Sequence, residues 1–324
     1  MTNIAFFGTS TFAYNVLKKI HKICLEKKYK LSFIVSKPDD ISWRSRKILV
    51  SYIKNFAKQK RITILQPKKL RNSHIDGKNF LDFFISKHID LAIVVAYGNI
   101  IPKCFLNNAK FGFINIHTSL LPRWRGAAPI QRAIEAGDTQ TGITYVKVTS
   151  KLDAGDIYST YNLDLNLNDD SLLLSKKLIK LINNSIEKII MGILSNTISS
   201  IPQSCYGITY ANKLKKHEGL INWNQSYKNI YNKIKAFNPW PGSFTYYNGK
   251  LLKLFEPKLS LFQVSKDILP GTIIYIGNEL IIACNDACIS FGIVQIQGKK
   301  PINMNKLLNS NFFNKNDCFN VVLD

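Results

Sequence analysis

An asparagine and a histidine two residues apart are the side chains of this sequence that most clearly suggest chemistry. Asn115 and His117 stand at the end of the apolar run Phe113–Ile116, which has the length of a β-strand. Alternate residues of a strand point to the same face of a sheet, so both side chains leave the same face. At the carboxyl end of a strand in an open α/β sheet, an amide beside an imidazole can stabilise a developing oxyanion. The competing interpretation is a polar strand end whose histidine caps a turn.

Two carboxylates in a glycine-containing turn form a second candidate. The turn reads Lys151-Leu-Asp153-Ala-Gly-Asp156 and follows the predicted strand Thr141–Val148. A carboxylate close to His117 would fix the tautomer of the imidazole and favour its protonated form. Taken alone, an Asp-x-Gly sequence equally fits an ordinary turn.

Other features exclude several classes of protein. The turn Gly8-Thr9-Ser10 lacks the full G-x-G-x-x-G pattern and the sequence has no P-loop, so a dinucleotide is not expected. Six scattered cysteines argue against a zinc site and a disulfide scaffold, and favour reduced thiols. No apolar run approaches the roughly 20 residues that cross a membrane, and the start of the chain lacks the basic segment of a signal peptide. We therefore expect a cytoplasmic protein with no metal and no membrane partner.

The charge of the chain is strongly positive. Lys and Arg number 44 against 21 Asp and Glu, a net charge of +23. Between Lys37 and Arg71, 11 basic residues face two acidic ones, a net +9. Such a field attracts polyanions, which predicts a nucleic-acid partner. Composition bias of an AT-rich genome is the alternative; it accounts for the general lysine excess better than for the concentrated stretch.

The pattern of apolar residues divides the chain into two parts. Short apolar runs alternate with helical segments over the first 165 residues, which is typical of parallel βαβ units and predicts a doubly wound α/β sheet. A helix predicted over Ser171–Ile193, capped by Ser171, precedes a polar, turn-rich linker at 195–207. Beyond it, Asn248-Gly249 between two apolar runs predicts a β-hairpin with a type I′ turn. We predict domains at 1–194 and 208–324, the second small and mostly β.

Several strings of this sequence match a known enzyme family in order and spacing. They are Val94-Val-Ala-Tyr-Gly98, Asn115-x-His117-x-Ser119-Leu-Leu-Pro122, Arg123-x-Arg125-Gly-Ala-Ala-Pro-Ile130, Leu152-Asp153-x-Gly-Asp156, Ala236-Phe-Asn-Pro-Trp-Pro241 and Gly298-Lys-Lys300. Through them the chain resembles, nearly end to end, the methionyl-tRNA formyltransferase family of 10-formyltetrahydrofolate-dependent transformylases. The Gly-Ala-Ala-Pro-Ile and Phe-Asn-Pro-Trp-Pro strings are the most particular to that family.

The resemblance implies a fold, a reaction and a site. The fold is a Rossmann-like N-terminal formyltransferase domain, a linker and a smaller, OB-like open β-barrel that binds tRNA. The reaction moves the formyl group of 10-formyltetrahydrofolate, a co-substrate, to the α-amine of methionyl-initiator-tRNA for translation initiation, without a metal. A monomer is expected by default, independently of the resemblance. The catalytic residues implied are Asn115, His117 and Asp153. The folate-binding residues implied are Val95, Tyr97, Gly98, Ser119, Leu120, Leu121 and Pro122.

The tRNA-binding residues implied by the resemblance include one loop that departs from the family. The full set is Arg44, Arg46, Lys47, Lys213, Lys299 and Lys300. Relatives flank the loop arginine with glycines, whereas this chain reads Ile-Ser-Trp43-Arg44-Ser-Arg46-Lys47. The positive charge is kept, while the conformational freedom of glycine is not.

Three alternative functions fit parts of the sequence. Amino-sugar formyltransferases share the Asn-x-His core, but usually show Arg-Ala-Pro-x-Asn-Trp where this chain has Ala127-Ala-Pro-Ile-Gln-Arg132, and they have no need of a +23 charge. A purine-pathway transformylase would need only the first domain. A non-catalytic RNA-binding module would keep the basic surface, but would not need all three implied catalytic residues.

Overall fold

Buried strands alternate with helices over the first two thirds of the chain, and strands predominate after that. A computed structural model describes residues 1–41, 48–49, 51–70, 74–262, 265, 267–310 and 312–319. The strands are β1 (Asn3–Gly8), β2 (Lys30–Val35), β3 (Asp40–Ile41), β4 (Ile48–Leu49), β5 (Ile64–Leu65), β6 (Leu91–Val95), β7 (Phe113–His117), β8 (Arg125–Gly126), β9 (Gln140–Lys147), β10 (Ile157–Asp164), β11 (Tyr210–Ala211), β12 (Phe244–Tyr247), β13 (Lys250–Ser260), β14 (Ile273–Ile276), β15 (Leu280–Ala283), β16 (Cys288–Ile296) and β17 (Ile302–Asn303).

The helices are of mixed length. They are α1 (Thr11–Glu26), α2 (Tyr52–Gln59), α3 (Ile75–Ser86), α4 (Lys103–Leu106), α5 (Pro129–Ala136), α6 (Ser171–Leu194), α7 (Tyr227–Ala236) and α8 (Met304–Leu308), with a 3₁₀ turn at Lys216–Gly219. Within the described ranges, no helix combines the length and the apolar character that crossing a membrane requires.

The chain forms two compact units, and each is assembled from separate stretches of sequence. Unit 1 comprises 1–129, 140–164 and 175–211. Unit 2 comprises 130–139, 165–174 and 212–324. The segment 195–207, predicted as a linker, therefore belongs to unit 1 by its contacts, and Ile201 makes a β-bridge to Ile157 there.

Unit 1 is built on a seven-stranded sheet in the order β10-β9-β7-β6-β1-β2-β5. The five strands from β7 to β5 are parallel, and β9 and β10 extend the β7 edge in antiparallel pairing. Ser10 caps α1 after β1, because its hydroxyl accepts a hydrogen bond from the Ala13 amide. The doubly wound α/β sheet predicted from the sequence is confirmed.

Aromatic side chains fill the space on one face of this sheet. Phe7 on β1 lies at the centre, with its ring centroid 5.4 Å from that of Phe113 and 5.6 Å from that of Tyr97. Phe33, Phe80, Phe84 and Phe105 belong to the same buried cluster. This core holds β1, β6 and β7 rigidly side by side, so the carboxyl ends of these parallel strands form one edge of the sheet.

Unit 2 is built on a curled antiparallel sheet in the order β12-β13-β16-β15-β14, with β17 paired to β16. Its core surrounds Trp223, which is fully buried, stacks on Phe319 at 5.6 Å and donates its indole N–H to Thr245 Oγ1 at 3.1 Å. Asn248 and Gly249 between β12 and β13 have φ angles of +47° and +70°, as a type I′ turn requires. The predicted hairpin and the predicted open-barrel class are confirmed.

Helices in or near unit 2 depart from the sequence-based expectation. Helix α7 was not predicted from the β pattern of the C-terminal part. It is capped by Ser226 and buries Ile230 and Ile234. The helix predicted to be capped by Ser171 begins at that residue, and Asp170 accepts the capping hydrogen bond from the Leu173 amide at 2.8 Å. A carboxylate is the better cap here, since it also interacts favourably with the helix dipole.

Three side chains join the first and third stretches of unit 2. Arg132 on α5 donates to Glu135 Oε2 at 2.7 Å and to Glu218 Oε2 at 2.5 Å. Glu218 also accepts the Lys215 amide at 2.6 Å. Burial raises the pKa of Glu218, but the hydrogen bonds from Arg132 and Lys215 outweigh it, so the pKa lies below its ordinary value of 4.5.

Glu218→Gln is expected to destabilise the protein at neutral pH by about 1–2 kcal/mol, because the ionised partner of Arg132 is lost. A depressed folded-state pKa contributes stability above the unfolded-state pKa, and this stability disappears as the pH falls through the folded-state pKa. The difference between variant and wild type in urea unfolding should therefore shrink below pH 4.5. The control is Glu26→Gln, which removes an exposed pair with Lys22 and should change little. A Glu218→Gln difference independent of pH would contradict the assignment.

Candidate active site

The three residues predicted to be catalytic lie together in unit 1. Asn115 and His117 are on β7, and Asp153 lies in the turn between β9 and β10. Asn115 Nδ2 donates to Asp153 Oδ1 at 3.0 Å, and His117 Nδ1 lies 3.6 Å from Asp153 Oδ2. The His117 and Asp153 side chains are only 5% and 8% exposed. The carboxylate thus faces the imidazole where little water screens it.

The second nitrogen of the histidine is also held. His117 Nε2 lies 2.8 Å from the carbonyl oxygen of Trp124. A carbonyl oxygen only accepts hydrogen bonds, so the proton of the neutral ring is on Nε2. Nδ1 is then the position that can take up a second proton, and it is the nitrogen that faces Asp153.

The turn that carries Asp153 has an uncommon backbone. Asp153 has a φ of +48°, a left-handed conformation that costs a residue with a side chain about 1–3 kcal/mol. The turn also presses against β9, because a Cβ atom on Gly155 would lie 1.9 Å from the Lys147 carbonyl oxygen. Only glycine permits this close approach of the turn to β9. The approach therefore determines how far the Asp153 side chain reaches towards Asn115 and His117.

A second backbone segment contacts the same carboxylate. The amide of Gly126 on β8 donates to Asp153 Oδ2 at 2.9 Å. Gly126 has a φ of +125°, and a Cβ atom there would lie 2.7 Å from the Ala211 carbonyl oxygen. Asn115 and Gly126 thus hold the two carboxylate oxygens in place, with Oδ2 facing His117 Nδ1.

The predicted folate-binding residues after β7 shape a tight loop. Ser119 Oγ donates to the Arg123 carbonyl at 2.6 Å. Thr144 Oγ1 on β9 donates to the Ser119 carbonyl at 2.7 Å and accepts the Leu121 amide at 3.1 Å. The Ser119 hydroxyl is therefore engaged in forming the loop, in which Leu121 is buried while Leu120 and Pro122 are partly exposed.

The predicted folate-binding residues at the end of β6 and just after it differ in exposure. Val95 and Tyr97 are buried, and burial raises the pKa of the Tyr97 phenol to about 12. Gly98 is exposed with a φ of +72°, and a Cβ there would lie 2.8 Å from Lys37 Nζ. Lys37 therefore places a positive charge at this edge of the sheet, which sequence reasoning did not assign to the site.

The predicted tRNA-binding residues are only partly described. Lys213, Lys299 and Lys300 are exposed on unit 2, the last two in the turn between β16 and β17. The predictions for Arg44, Arg46 and Lys47 lie outside the described residues.

Sequence reasoning missed the residues that hold the catalytic loops. Gln203 and Thr209, within or just after the predicted linker, hydrogen bond the Asp153 turn and the Trp124 backbone respectively. In the sequence, both residues lie in a stretch rich in turn-forming residues, and nothing in their spacing marks them as part of the site. Among the described residues, no group of three or more His, Cys, Asp or Glu side chains could hold a metal ion.

Comparisons with known proteins agree with this geometry. The formyl transferase family model matches residues 2–188, and the model of the formyl transferase C-terminal domain matches residues 213–311. The fold and the site thus define a formyl transferase with both of its characteristic domains.

Whole-chain relatives narrow the assignment. The methionyl-tRNA formyltransferase of Caldicellulosiruptor saccharolyticus is 34% identical over 318 residues, 97% of this chain and 99% of the relative. This chain belongs to the methionyl-tRNA formyltransferase family.

Solved structures share the fold at low sequence identity. An N-formyltransferase from Helicobacter canadensis, in complex with folinic acid and dTDP-3-aminofucose, has a TM-score of 0.67 at 17% identity, covering 90% of this chain and 99% of that chain. HypX from Aquifex aeolicus, in complex with tetrahydrofolic acid, has a TM-score of 0.62 at 14% identity and covers 98% of this chain. This chain spans about half, 50%, of the HypX chain. At such identities these likenesses establish the fold.

Proposed function

We propose that this chain transfers the formyl group of 10-formyltetrahydrofolate to the α-amine of methionyl-initiator-tRNA, giving N-formylmethionyl-tRNA for translation initiation. The observation that carries the proposal is the meeting of Asn115, His117 and Asp153 at one edge of the sheet, with contacts of 3.0 and 3.6 Å. The family relationship supports the choice of methionyl-tRNA as the acceptor.

The reaction needs an oxyanion stabilised and a proton moved. The amine attacks the formyl carbon, whose oxygen becomes an oxyanion in a tetrahedral intermediate, and the bond to the folate N10 then breaks. An amide NH₂ group has two donors, so Asn115 can hold Asp153 with one and donate to the oxyanion with the other. A donor of this kind contributes about 2.7–4 kcal/mol to the transition state.

His117 and Asp153 are suited to the proton and to the second oxyanion contact. In the protonated imidazole both ring nitrogens donate, and Asp153 faces the one that gains the charge. Because Nε2 is held by the Trp124 carbonyl, the second oxyanion contact would come from the Nδ1–H, which Asp153 faces at 3.6 Å, beyond ordinary hydrogen-bond length. Asp153 orients the ring and helps to move the proton from the attacking to the leaving nitrogen.

The folate would occupy the edge formed by the segments after β6 and β7. Val95, Tyr97 and Gly98 bound one side, and the loop Ser119–Pro122 bounds the other. The partly exposed Leu120 and Pro122 offer apolar surface to an aromatic ring system. Lys37 beside Gly98 offers a positive charge to the carboxylates that folates carry.

The tRNA would be bound largely through its phosphates. The exposed lysines Lys213, Lys299 and Lys300 of unit 2 are candidates, together with the basic loop of Arg44, Arg46 and Lys47. Domain limits at 194 and 208 and a monomeric enzyme stay predictions.

The acceptor is tested by offering 10-formyltetrahydrofolate with methionyl-initiator-tRNA, with elongator methionyl-tRNA and with a dTDP-linked amino sugar. We expect formylation of the initiator tRNA, with a much lower kcat/KM for the elongator. Formylation of the sugar with the tRNAs left unmodified would overturn the proposal in favour of an amino-sugar formyltransferase.

Salt should weaken the binding of tRNA much more than the binding of folate. The logarithm of tRNA affinity is expected to fall linearly with the logarithm of salt concentration, with a slope of about −0.7 to −0.9 per phosphate contact. The affinity for folate should change much less. A double variant, Lys299→Gln with Lys300→Gln, should reduce the slope by up to about 2. Filter binding or fluorescence titration measures both.

The matched control removes the same charge elsewhere. Lys176 and Lys180 are exposed on α6 and are not predicted to contact tRNA. Lys176→Gln with Lys180→Gln should leave the slope nearly unchanged. Equal slopes for the two double variants would exclude Lys299 and Lys300 from the proposed interface. A tRNA affinity independent of salt would contradict the proposal that the tRNA is bound largely through its phosphates.

A further inference from the structure

One side-chain amide closes the turn that carries Asp153. Gln203 Nε2 donates to the carbonyl oxygen of Asp153 and to that of Gly155, both at 2.8 Å. The two carbonyls flank the tightest point of the turn, where Asp153 has a positive φ and Gly155 approaches β9. Both hydrogens of the Gln203 amide are thus used on one turn, and Gln203 belongs to the segment 203–211, named here the strap.

The other end of the same amide holds a second loop. Gln203 Oε1 accepts from Arg125 at 3.1 Å to Nε and 2.7 Å to Nη2. Arg125 immediately precedes Gly126, whose amide donates to the Asp153 carboxylate at 2.9 Å. Gln203 therefore joins the backbone that carries Asp153 to the segment that hydrogen bonds its side chain.

Thr209 performs the corresponding task for His117. Its hydroxyl oxygen accepts the Trp124 amide at 2.9 Å, and its carbonyl accepts the Arg125 amide at 2.9 Å. The Trp124 carbonyl in turn lies 2.8 Å from His117 Nε2. The strap thus fixes the peptide group whose oxygen determines the tautomer and the orientation of the ring.

We propose that Gln203 and Thr209 are positioning residues for formyl transfer, Gln203 acting through Asp153 and Thr209 acting through His117. The proposal rests on the proposed function for its reaction. Neither side chain is placed at the reacting atoms. Each uses hydrogen bonds to backbone atoms to hold a catalytic side chain in one arrangement.

The physical need for such residues is clear at the Asp153 turn. A left-handed conformation at a residue with a side chain costs of order 1–3 kcal/mol and persists only where the surroundings over-determine it. Gln203 supplies two hydrogen bonds at that point. Without them the turn relaxes, and a displacement of about 1 Å at a reacting group lowers the rate by about 100-fold.

The first variants remove the donors of Gln203. Gln203→Met keeps the length of the side chain but has no amide, and Gln203→Glu keeps the oxygen that faces Arg125 but loses the NH₂ group. Both are expected to lower kcat by about 10- to 100-fold, with KM for each substrate within about twofold of wild type. Wild-type kcat in either folded variant would overturn the role of Gln203.

The matched control is Gln140→Met. Gln140 is an exposed glutamine on β9 of the same unit, and its Nε2 donates to Asp164 at 3.2 Å. It should leave kcat and KM unchanged. A loss of kcat equal to that of Gln203→Met would mean that general loosening of unit 1 causes the effect, and would overturn the proposal.

A double-mutant cycle tests whether Gln203 acts through Asp153. In the Asp153→Ala background, Gln203→Met should lower kcat by no more than about twofold further, because the group being positioned is gone. Losses that multiply in full would show independent action and overturn the proposal.

Thr209 has its own pair of variants. Thr209→Val keeps the shape and removes the oxygen that accepts the Trp124 amide, whereas Thr209→Ser keeps it. The serine variant should retain wild-type kcat and the valine variant should lose about 10-fold. Equal activities would overturn the role of Thr209.

Nuclear magnetic resonance reads the ring of His117 without any turnover. The chain has five histidines, so the ¹⁵N signals of His117 are identified by their absence in His117→Ala. We expect them to shift in Thr209→Val and not in Thr209→Ser. Unchanged signals would overturn the proposal. If wild type formylated no tRNA, the proposed function would fail while this measurement still tested the positioning.

Discussion

Replacing Asp153 by asparagine is expected to lower kcat for formyl transfer by about 100- to 1,000-fold while the fold is kept. The carboxylate accepts from Asn115 Nδ2 at 3.0 Å and from the Gly126 amide at 2.9 Å, and it faces His117 Nδ1. Asparagine offers one oxygen and one NH₂ group, so one of these N–H donors would meet another donor. It also carries no negative charge to stabilise a protonated His117.

Steady-state kinetics with both substrates checks this expectation. KM for folate and for tRNA should change little, since the interaction is made mainly in the transition state. Asp164→Asn at the exposed end of β10 is the control and should be silent. His117→Ala should cost a similar factor, and the double variant should be little worse than either single variant because the two groups act as a unit. Near-normal turnover in folded Asp153→Asn would remove Asp153 from the mechanism.

Gly155→Ala is expected to have the next largest effect, although Gly155 has no side chain to contribute. The added Cβ would lie 1.9 Å from the Lys147 carbonyl oxygen, which cannot move without disturbing β9. The turn must shift instead and carry Asp153 away from Asn115 and His117. We expect kcat to fall by about 100-fold and the unfolding free energy by about 1–3 kcal/mol.

A second glycine provides the control. In Gly292→Ala the nearest atom to the new Cβ is Oε2 of Glu256, at 2.4 Å, the far end of a flexible side chain in unit 2. That carboxylate can rotate aside, so kcat should be unchanged. Wild-type kcat in Gly155→Ala, measured together with its thermal unfolding, would mean that the depth of the turn does not position Asp153.

Part of the site could be predicted from local sequence patterns. The alternation of a strand put Asn115 and His117 on one face, and the order of apolar runs predicted that β7 lies within a parallel sheet. Both predictions depend on spacing over a few residues, which a sequence displays directly. The positive φ angles of Asn248 and Gly249 were predictable for the same reason.

Longer-range relations were not visible in spacing. Asp153 is 36 residues from His117 along the chain, and its place beside the ring was implied by the family resemblance alone. Gln203 and Thr209 were missed because a side chain that hydrogen bonds remote backbone leaves no periodic trace. Their segment has the polar composition of a linker, which is why it was interpreted as one.

The assembly of unit 2 from three separate stretches of sequence limits how the gene can recombine. Arg132 comes from the first stretch and pairs with Glu218 of the third, while Asp170 of the second accepts a hydrogen bond from Asn238 of the third at 3.2 Å. A single crossover that imports the block 212–324 from a relative would therefore combine host and donor halves of both pairings. Recombination within the family can exchange this block only between chains that keep matching partners. The C-terminal block is therefore expected to coevolve with residues 130–139 and 165–174.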